Sequence, residues 1–309
     1  MRAAMNCKLI SVPVEQGQPV PGCALGPEAL KGAGLAAALR DLGHEVVDLG
    51  PVPGPQPRCV PDHPNHLKFL PEISAWIEAT AAVAYEAGAD GFPIFLGGDH
   101  SISAGSVSGL ARRAAEQGRP LFVLWMDAHS DFHTLDTTTS GNLHGVPLAY
   151  LCGLPGFENY FPPLPAPLAP ERVCILGLRS VDKAEREALA GSPVRAYDMS
   201  AIDRKGIGPL LESFLDEVRA ANGLLHVSFD VDFLDPPLAP GVGTPVQGGA
   251  TFREAHLAME MLHESGLVTS LDVVELNPTL DERGRTAGLA IELVGSLLGK
   301  TITGRRRAA

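Results

Sequence analysis

Apolar and polar positions follow two rhythms along this chain. Runs such as "CKLISVPV", "HEVVDLG", "GFPIFLGG", "PLFVLWMD", "RVCILGLRS", "LLHVSFDVD" and "VTSLDVVELNP" are β-branched or continuously apolar over lengths suited to strands. Between them, "GPEALKGAGLAAALRDLG", "PEISAWIEATAAVAYEAGA", "SVSGLARRAAEQG", "GPLLESFLDEVRAANG" and "TFREAHLAMEMLHESG" repeat their apolar residues at helical spacing. Buried-looking strands alternating with helices predict an α/β fold, a parallel sheet covered on both faces. Gly43, Gly118, Gly223 and Gly266 close helical stretches and suit left-handed caps. Proline-rich segments at 51–64 and 155–170 interrupt the alternation without changing its character, so they read as surface excursions of a single domain over 1–309.

Composition narrows the partners. With 45% hydrophobic and 19% charged residues in 309, the chain can bury a large core. A net charge of −12 argues against nucleic acid or an anionic membrane and suits a small cationic substrate. Five scattered cysteines without a CxxC pair predict free thiols, neither a disulfide framework nor a zinc knuckle. No apolar stretch approaches the ~20 residues that span a bilayer. The start, "MRAAMNCKLISVPV", has too short an apolar run for a signal peptide and reads as a first strand, so a cytoplasmic protein is expected. The basic tail "GRRRAA" reads as a solvated terminus, with a subunit contact as the alternative.

The chemistry concentrates where strands end. "FLGGDH" carries Asp99 and His100; "WMDAHSD" carries Asp127, His129 and Asp131; "SFDVDFLDP" carries Asp230, Asp232 and Asp235. Alternate residues of an extended chain share a side, and the carboxyl edge of an open α/β sheet is where ligands bind. Taken singly, Asp99 and Asp235 read as helix N-caps, and His256 and His263 as ordinary satisfied residues. The D-x-H-x-D and D-x-D sets do not reduce to caps. Gathering four carboxylates is costly without counter-charge. Two divalent cations held by His100, Asp127, His129, Asp131, Asp230 and Asp232 would balance them, −4 against +4. Oxygen-rich ligation with two imidazoles suits two Mn²⁺ better than zinc. Such a pair lowers the pKa of a shared water, making hydroxide available as nucleophile.

At "GGDHS", "DAHSD", "SFDVDFLDP" and "TTTSGNLHG" the chain resembles the ureohydrolases, manganese enzymes that hydrolyse guanidino compounds, and among them the arginases. The resemblance runs from "GQPVPGCALGPEALKGAGL" to "SLDVVELNP". It implies a three-layer α/β/α sandwich around an eight-stranded parallel sheet, assembled as a trimer or hexamer. It implies the same six metal ligands, with Ser140 and Asn142 as donors to a substrate carboxylate and His144 as a proton shuttle. Asp182 and Glu185, in "LGLRSVDKAE", would face the substrate's ammonium; Thr244 and Glu275 would line its guanidinium end. Asp131, ligand and hydrogen-bonding group at once, would hand a proton to the leaving nitrogen. One departure stands out: His133 occupies a position where arginases often carry Asn, and it reads as rim residue, neutral donor or imidazolium partner of the substrate carboxylate. The implied reaction is L-arginine to L-ornithine and urea, with no organic cofactor. Agmatine, a guanidino acid such as guanidinobutyrate, or a non-catalytic assembly role are the alternatives.

Overall fold

The computed structural model of the chain describes residues 4–301. Eight strands form one sheet: β1 (Asn6–Val12), β2 (Glu45–Pro51), β3 (Phe92–Gly97), β4 (Leu121–Met126), β5 (Val173–Leu178), β6 (Arg195–Asp198), β7 (Leu224–Asp230) and β8 (Val268–Val274). Every neighbouring pair is parallel, in the order β2-β1-β3-β8-β7-β4-β5-β6. The expected α/β/α layering is present. One face is covered by α1 (Gly26–Gly32), α2 (Leu35–Asp41), α7 (Met199–Lys205), α8 (Ile207–Ala220), α9 (Phe252–Ser265) and α10 (Arg285–Leu297). The other carries α3 (Leu70–Ala87), α4 (Ile102–Glu116) and α5 (Pro147–Leu151), with α6 (Lys183–Ala190) packed beside them.

Each face has its own apolar core, because alternate strand residues point opposite ways. In β4, Val123 and Trp125 join the α3–α5 side while Leu124 and Met126 join the other. All four are fully buried, so the strand reads as a continuous apolar run.

Three details differ from the sequence reading. The helix expected over 26–43 is two helices, broken at Ala33–Gly34 where Gly34 takes φ +100°. The helix expected from Ser106 begins at Ile102; its first turn is Ser- and Gly-rich, buried, and so lacks an amphipathic signal. Gly43, Gly118 and Gly266 have left-handed backbones, but at the end of α8 Asn222 (φ +49°) takes that conformation and Gly223 does not. There the absent side chain makes room instead: a Cβ on Gly223 would lie 2.6 Å from the Phe122 ring. The basic tail lies outside the described residues.

The free cysteines agree with the reading; Cys7, Cys23, Cys152 and Cys174 are buried and Cys59 is exposed. Among the described residues no helix is long and apolar enough to cross a membrane.

Candidate active site

The chain order places the chemistry. The chain steps from β3 to β4 across a gap that β8 and β7 later fill, so the carboxyl ends of β3, β8, β7 and β4 lie side by side. His100, Glu275 and Asp127 follow the ends of β3, β8 and β4, and Asp230 is the last residue of β7. This is where an open α/β sheet builds its ligand site.

Two groups of side chains meet there. His100 Nδ1 lies 2.9 Å from Asp127 Oδ2, 3.1 Å from Asp131 Oδ2 and 3.3 Å from Asp230 Oδ2. His129 Nδ1 lies 3.0 Å from Asp232 Oδ2 and 3.5 Å from Asp127 Oδ1. Asp127 belongs to both groups, one oxygen to each. All six residues predicted as metal ligands are therefore brought together. The four carboxylates and His100 are buried.

Backbone N–H groups and one indole aim these carboxylates. The Asp127 carboxylate accepts the N–H of His129 at 2.7 Å and the Trp125 indole N–H at 3.0 Å. Asp230 accepts the Asp232 N–H at 2.7 Å, and Asp232 accepts the Ala128 N–H at 3.1 Å. Asp131 and Glu275 are held in left-handed backbone conformations, φ +48° and +64°. Such strain costs about 1–3 kcal/mol at a residue that is not glycine and persists only where surrounding structure imposes it. At Glu275 the N–H donates to Gly98 O at 2.7 Å; at Asp131 the carbonyl accepts from Leu148 and Ala149 at the start of α5.

Protein groups alone leave the cluster unsatisfied. His100 Nδ1 and Asp131 Oδ2 are buried without a hydrogen-bond partner. Burial opposes a charge on His100, yet the nearby carboxylates of Asp127, Asp131 and Asp230 raise its pKa well above the ordinary range. His129 is likewise disfavoured as a cation by burial but driven up to about 12 by Asp232 and Asp127. Burial, reinforced by Asp127, raises Asp131 to about 6; burial and Asp232 raise Asp230 well above a normal carboxyl. Protons are standing in for positive charge. Divalent cations fit here, because orphaned lone pairs of oxygen and imidazole nitrogen converge on shared points.

Glu275 and His144 close the site. Glu275 Oε1 accepts the His100 N–H at 2.9 Å and lies 2.9 Å from His144 Nδ1, while its Oε2 is buried without a partner. Burial disfavours charge on His144, but Glu275 raises it to about 9. The His144 N–H donates to Gly17 O at 3.0 Å, and the Gly17 N–H donates to Asp99 at 2.7 Å. Asp99 thus braces the mouth, and it also accepts the Ser101 N–H at 3.0 Å where the chain enters α4. Asp235 is no N-cap; it accepts from Gly248 and Gly249 and ties down their loop.

The remaining predicted residues ring this centre. Thr244 donates to Asp232 Oδ2 at 3.4 Å. Ser140 Oγ accepts the Asn142 N–H at 3.2 Å within the loop that leads to His144. Asp182 and Glu185 form a capping box on α6; Glu185 also accepts from Ser130 Oγ and from the Phe132 N–H. Glu185 is 7% exposed, and its two oxygens tie the 130–132 turn to the start of α6. His133 has Nε2 2.9 Å from Asp182 Oδ2 and Nδ1 3.1 Å from Thr137 Oγ1. Both ring nitrogens are thus engaged with protein groups.

The sequence reading passed over several supports. His100 Nε2 lies 2.8 Å from Ser228 Oγ, which is 3.1 Å from Ser103 Oγ. Ser103 and Ser106 each donate to Asp272 at 2.7 Å, and His226 stands 3.2 Å from the same carboxylate oxygen. A buried polar track thus runs from His100 beneath α4. Arg179 donates to the carbonyls of Asp232, Leu234 and Val246, fixing the loop after β7. Ser228 and Trp125, two positions before Asp230 and Asp127, share their strand faces; that alternation was the available signal.

Fold and site together define a metal-dependent hydrolase. The sequence model of the arginase family matches residues 5–299. Arginase from Brucella melitensis is 60% identical over 302 residues, covering 97% of this chain and 98% of that protein. The structure of arginase from Bacillus caldovelox superposes with a TM-score of 0.86 at 37% identity, over 96% of this chain and 99% of that one. Entamoeba histolytica arginase in complex with L-ornithine gives 0.85 at 25% identity, over the same 96% and 99%. The chain belongs to the arginase family.

Proposed function

We propose that this chain hydrolyses L-arginine to L-ornithine and urea with two manganese ions at the His100–Asp127–Asp131–Asp230 and Asp127–His129–Asp232 groups. The carrying observation is the position of His144: its ring meets Glu275 beside the His100 group, and its own loop holds Ser140 and Asn142. In this reading Glu275 takes the guanidinium, and the neutral donors of Ser140 and Asn142 take the α-carboxylate. Similarity to arginases, one of them bound to L-ornithine, supports the same reading.

When bound, the metal pair supplies a water acidified toward neutrality as the nucleophile. The chain's own groups do the rest. Glu275 holds the planar cation, its buried Oε2 being free to accept from a guanidinium N–H. Asp131 takes the proton left on the tetrahedral carbon's substituent and delivers it to the departing ornithine nitrogen. His144 carries protons between the site and solvent; its imidazole is 17% exposed, at the boundary of both. Ser140 and Asn142 donate to the α-carboxylate, and Asp182 with His133 beside it faces the α-ammonium. The same reading includes a cytoplasmic homo-oligomer, trimer or hexamer, which light scattering would test.

Urea release from a panel of guanidino compounds after incubation with Mn²⁺ decides the substrate. L-arginine should exceed agmatine and guanidinobutyrate in kcat/KM. Agmatine turned over as well as arginine would overturn the reading, because nothing would then depend on the carboxylate.

A further inference from the structure

Lys68 is an exposed cation at the edge of this mouth, in the segment between β2 and α3. Among the described residues its ammonium has no carboxylate partner. It donates instead to Asn142 Oδ1 at 2.8 Å, from 74 residues away in sequence. The segment is strapped to the substrate loop independently of that bond: Asn65 Nδ2 donates to Leu135 O and Asp136 O, both at 2.9 Å, and the Lys68 N–H donates to Gly141 O at 2.9 Å. Gly141 has φ +69°, and a Cβ there would run into the His66 carbonyl, so the strap's close approach requires glycine.

An ammonium can only donate, whereas an amide has one accepting and one donating end. By taking Oδ1, Lys68 leaves Asn142 Nδ2 as the end available to a ligand. The amide turned the other way would present oxygen, and oxygen repels a carboxylate. Resting on the arginine reading above, we propose that Lys68 is a specificity-determining residue: it fixes the Asn142 amide with its donor outward and adds positive charge at the substrate's α-carboxylate end. The Asn65 amide and the Lys68 backbone N–H hold the strap without the ammonium, so the Lys68 side chain is spare for this purpose.

Steady-state kinetics of the Mn²⁺-loaded wild type, Lys68→Met and Lys68→Arg on L-arginine and agmatine test the proposal. Lys68→Met should raise KM for arginine about tenfold with kcat within about twofold, the scale of one bond to a charged group. Agmatine, without a carboxylate, should be unaffected, and Lys68→Arg should recover most of the arginine KM. Added salt should raise the wild-type KM for arginine and leave that of Lys68→Met flat. If the wild type prefers arginine and Lys68→Met keeps the full preference, or loses both substrates equally, the proposal falls and the arginine reading stands. If the wild type itself shows no preference, both fall.

Discussion

Glu275 Oε1 touches His144 Nδ1 and the His100 N–H at the same distance, 2.9 Å. One carboxylate oxygen therefore joins the imidazole at the mouth to the backbone of a residue in the metal-ready cluster. Burial alone would lower the pKa of His144; Glu275 reverses the sign and holds it at about 9. In the metal-free protein, Glu275→Gln should drop that value below 9, followed by the imidazole resonances in an NMR titration. The same variant should lose roughly 10²–10³-fold in kcat/KM, as expected when one partner of a buried charge pair is neutralised. An unchanged His144 titration would mean that other acids set it.

Asp127 offers one oxygen to each group, so its removal should be felt twice. Wild type, saturated with Mn²⁺ and desalted, should retain two ions per chain by elemental analysis. His100→Ala should weaken one selectively and Asp127→Ala should lose both. Asp127→Ala with one ion still tightly held would place that residue in a single group.

Metal uptake should release protons. With folded pKa values of about 12 for His129 and about 6 for Asp131, and with His100 and Asp230 also raised, the metal-free cluster holds protons that a cation must displace. Lower pH adds competitor, so Mn²⁺ affinity should rise with pH, about tenfold per unit for each proton displaced. Calorimetry between pH 6 and 8 in buffers of different ionisation enthalpy reads both quantities. A pH-independent affinity would mean that the site is already deprotonated when empty.

Ser228 holds the far nitrogen of His100. Ser228→Ala should weaken metal at the His100 group by roughly 10–100-fold, the usual cost of losing the partner behind a ligating imidazole. Metal at the His129 group should change little. Equal weakening of both would implicate the β7 backbone and not the hydroxyl.

Seven strands were legible because each is a short apolar or β-branched run. The eighth, Arg195–Asp198, is four residues long with alternate positions exposed, and "RAYD" gives no such run. The six clustered acids and imidazoles were legible for another reason: alternation of Asp with His along a strand end has no structural purpose of its own. Contacts that join distant parts of the chain left no trace in one dimension. Ser103 and Asp272 are 169 residues apart, Lys68 and Asn142 are 74 apart, and their pairing exists only once the sheet and strap are in place. Glu185 shows the converse limit, since its capping box and its proximity to the site read identically in sequence.

The gap between β3 and β4 also has a temporal meaning. While the ribosome has delivered only the first two hundred residues, nothing exists to fill it; in the final sheet these strands stand three spacings apart, about 14 Å. Asp230, Asp232 and Glu275 arrive with the last third of the chain. The insertion of β8 and β7 between β3 and β4 is the step that brings His100, Asp127, His129 and Asp131 together with Asp230 and Asp232. The six side chains are therefore complete as a set only once the last two strands of the sheet are in place.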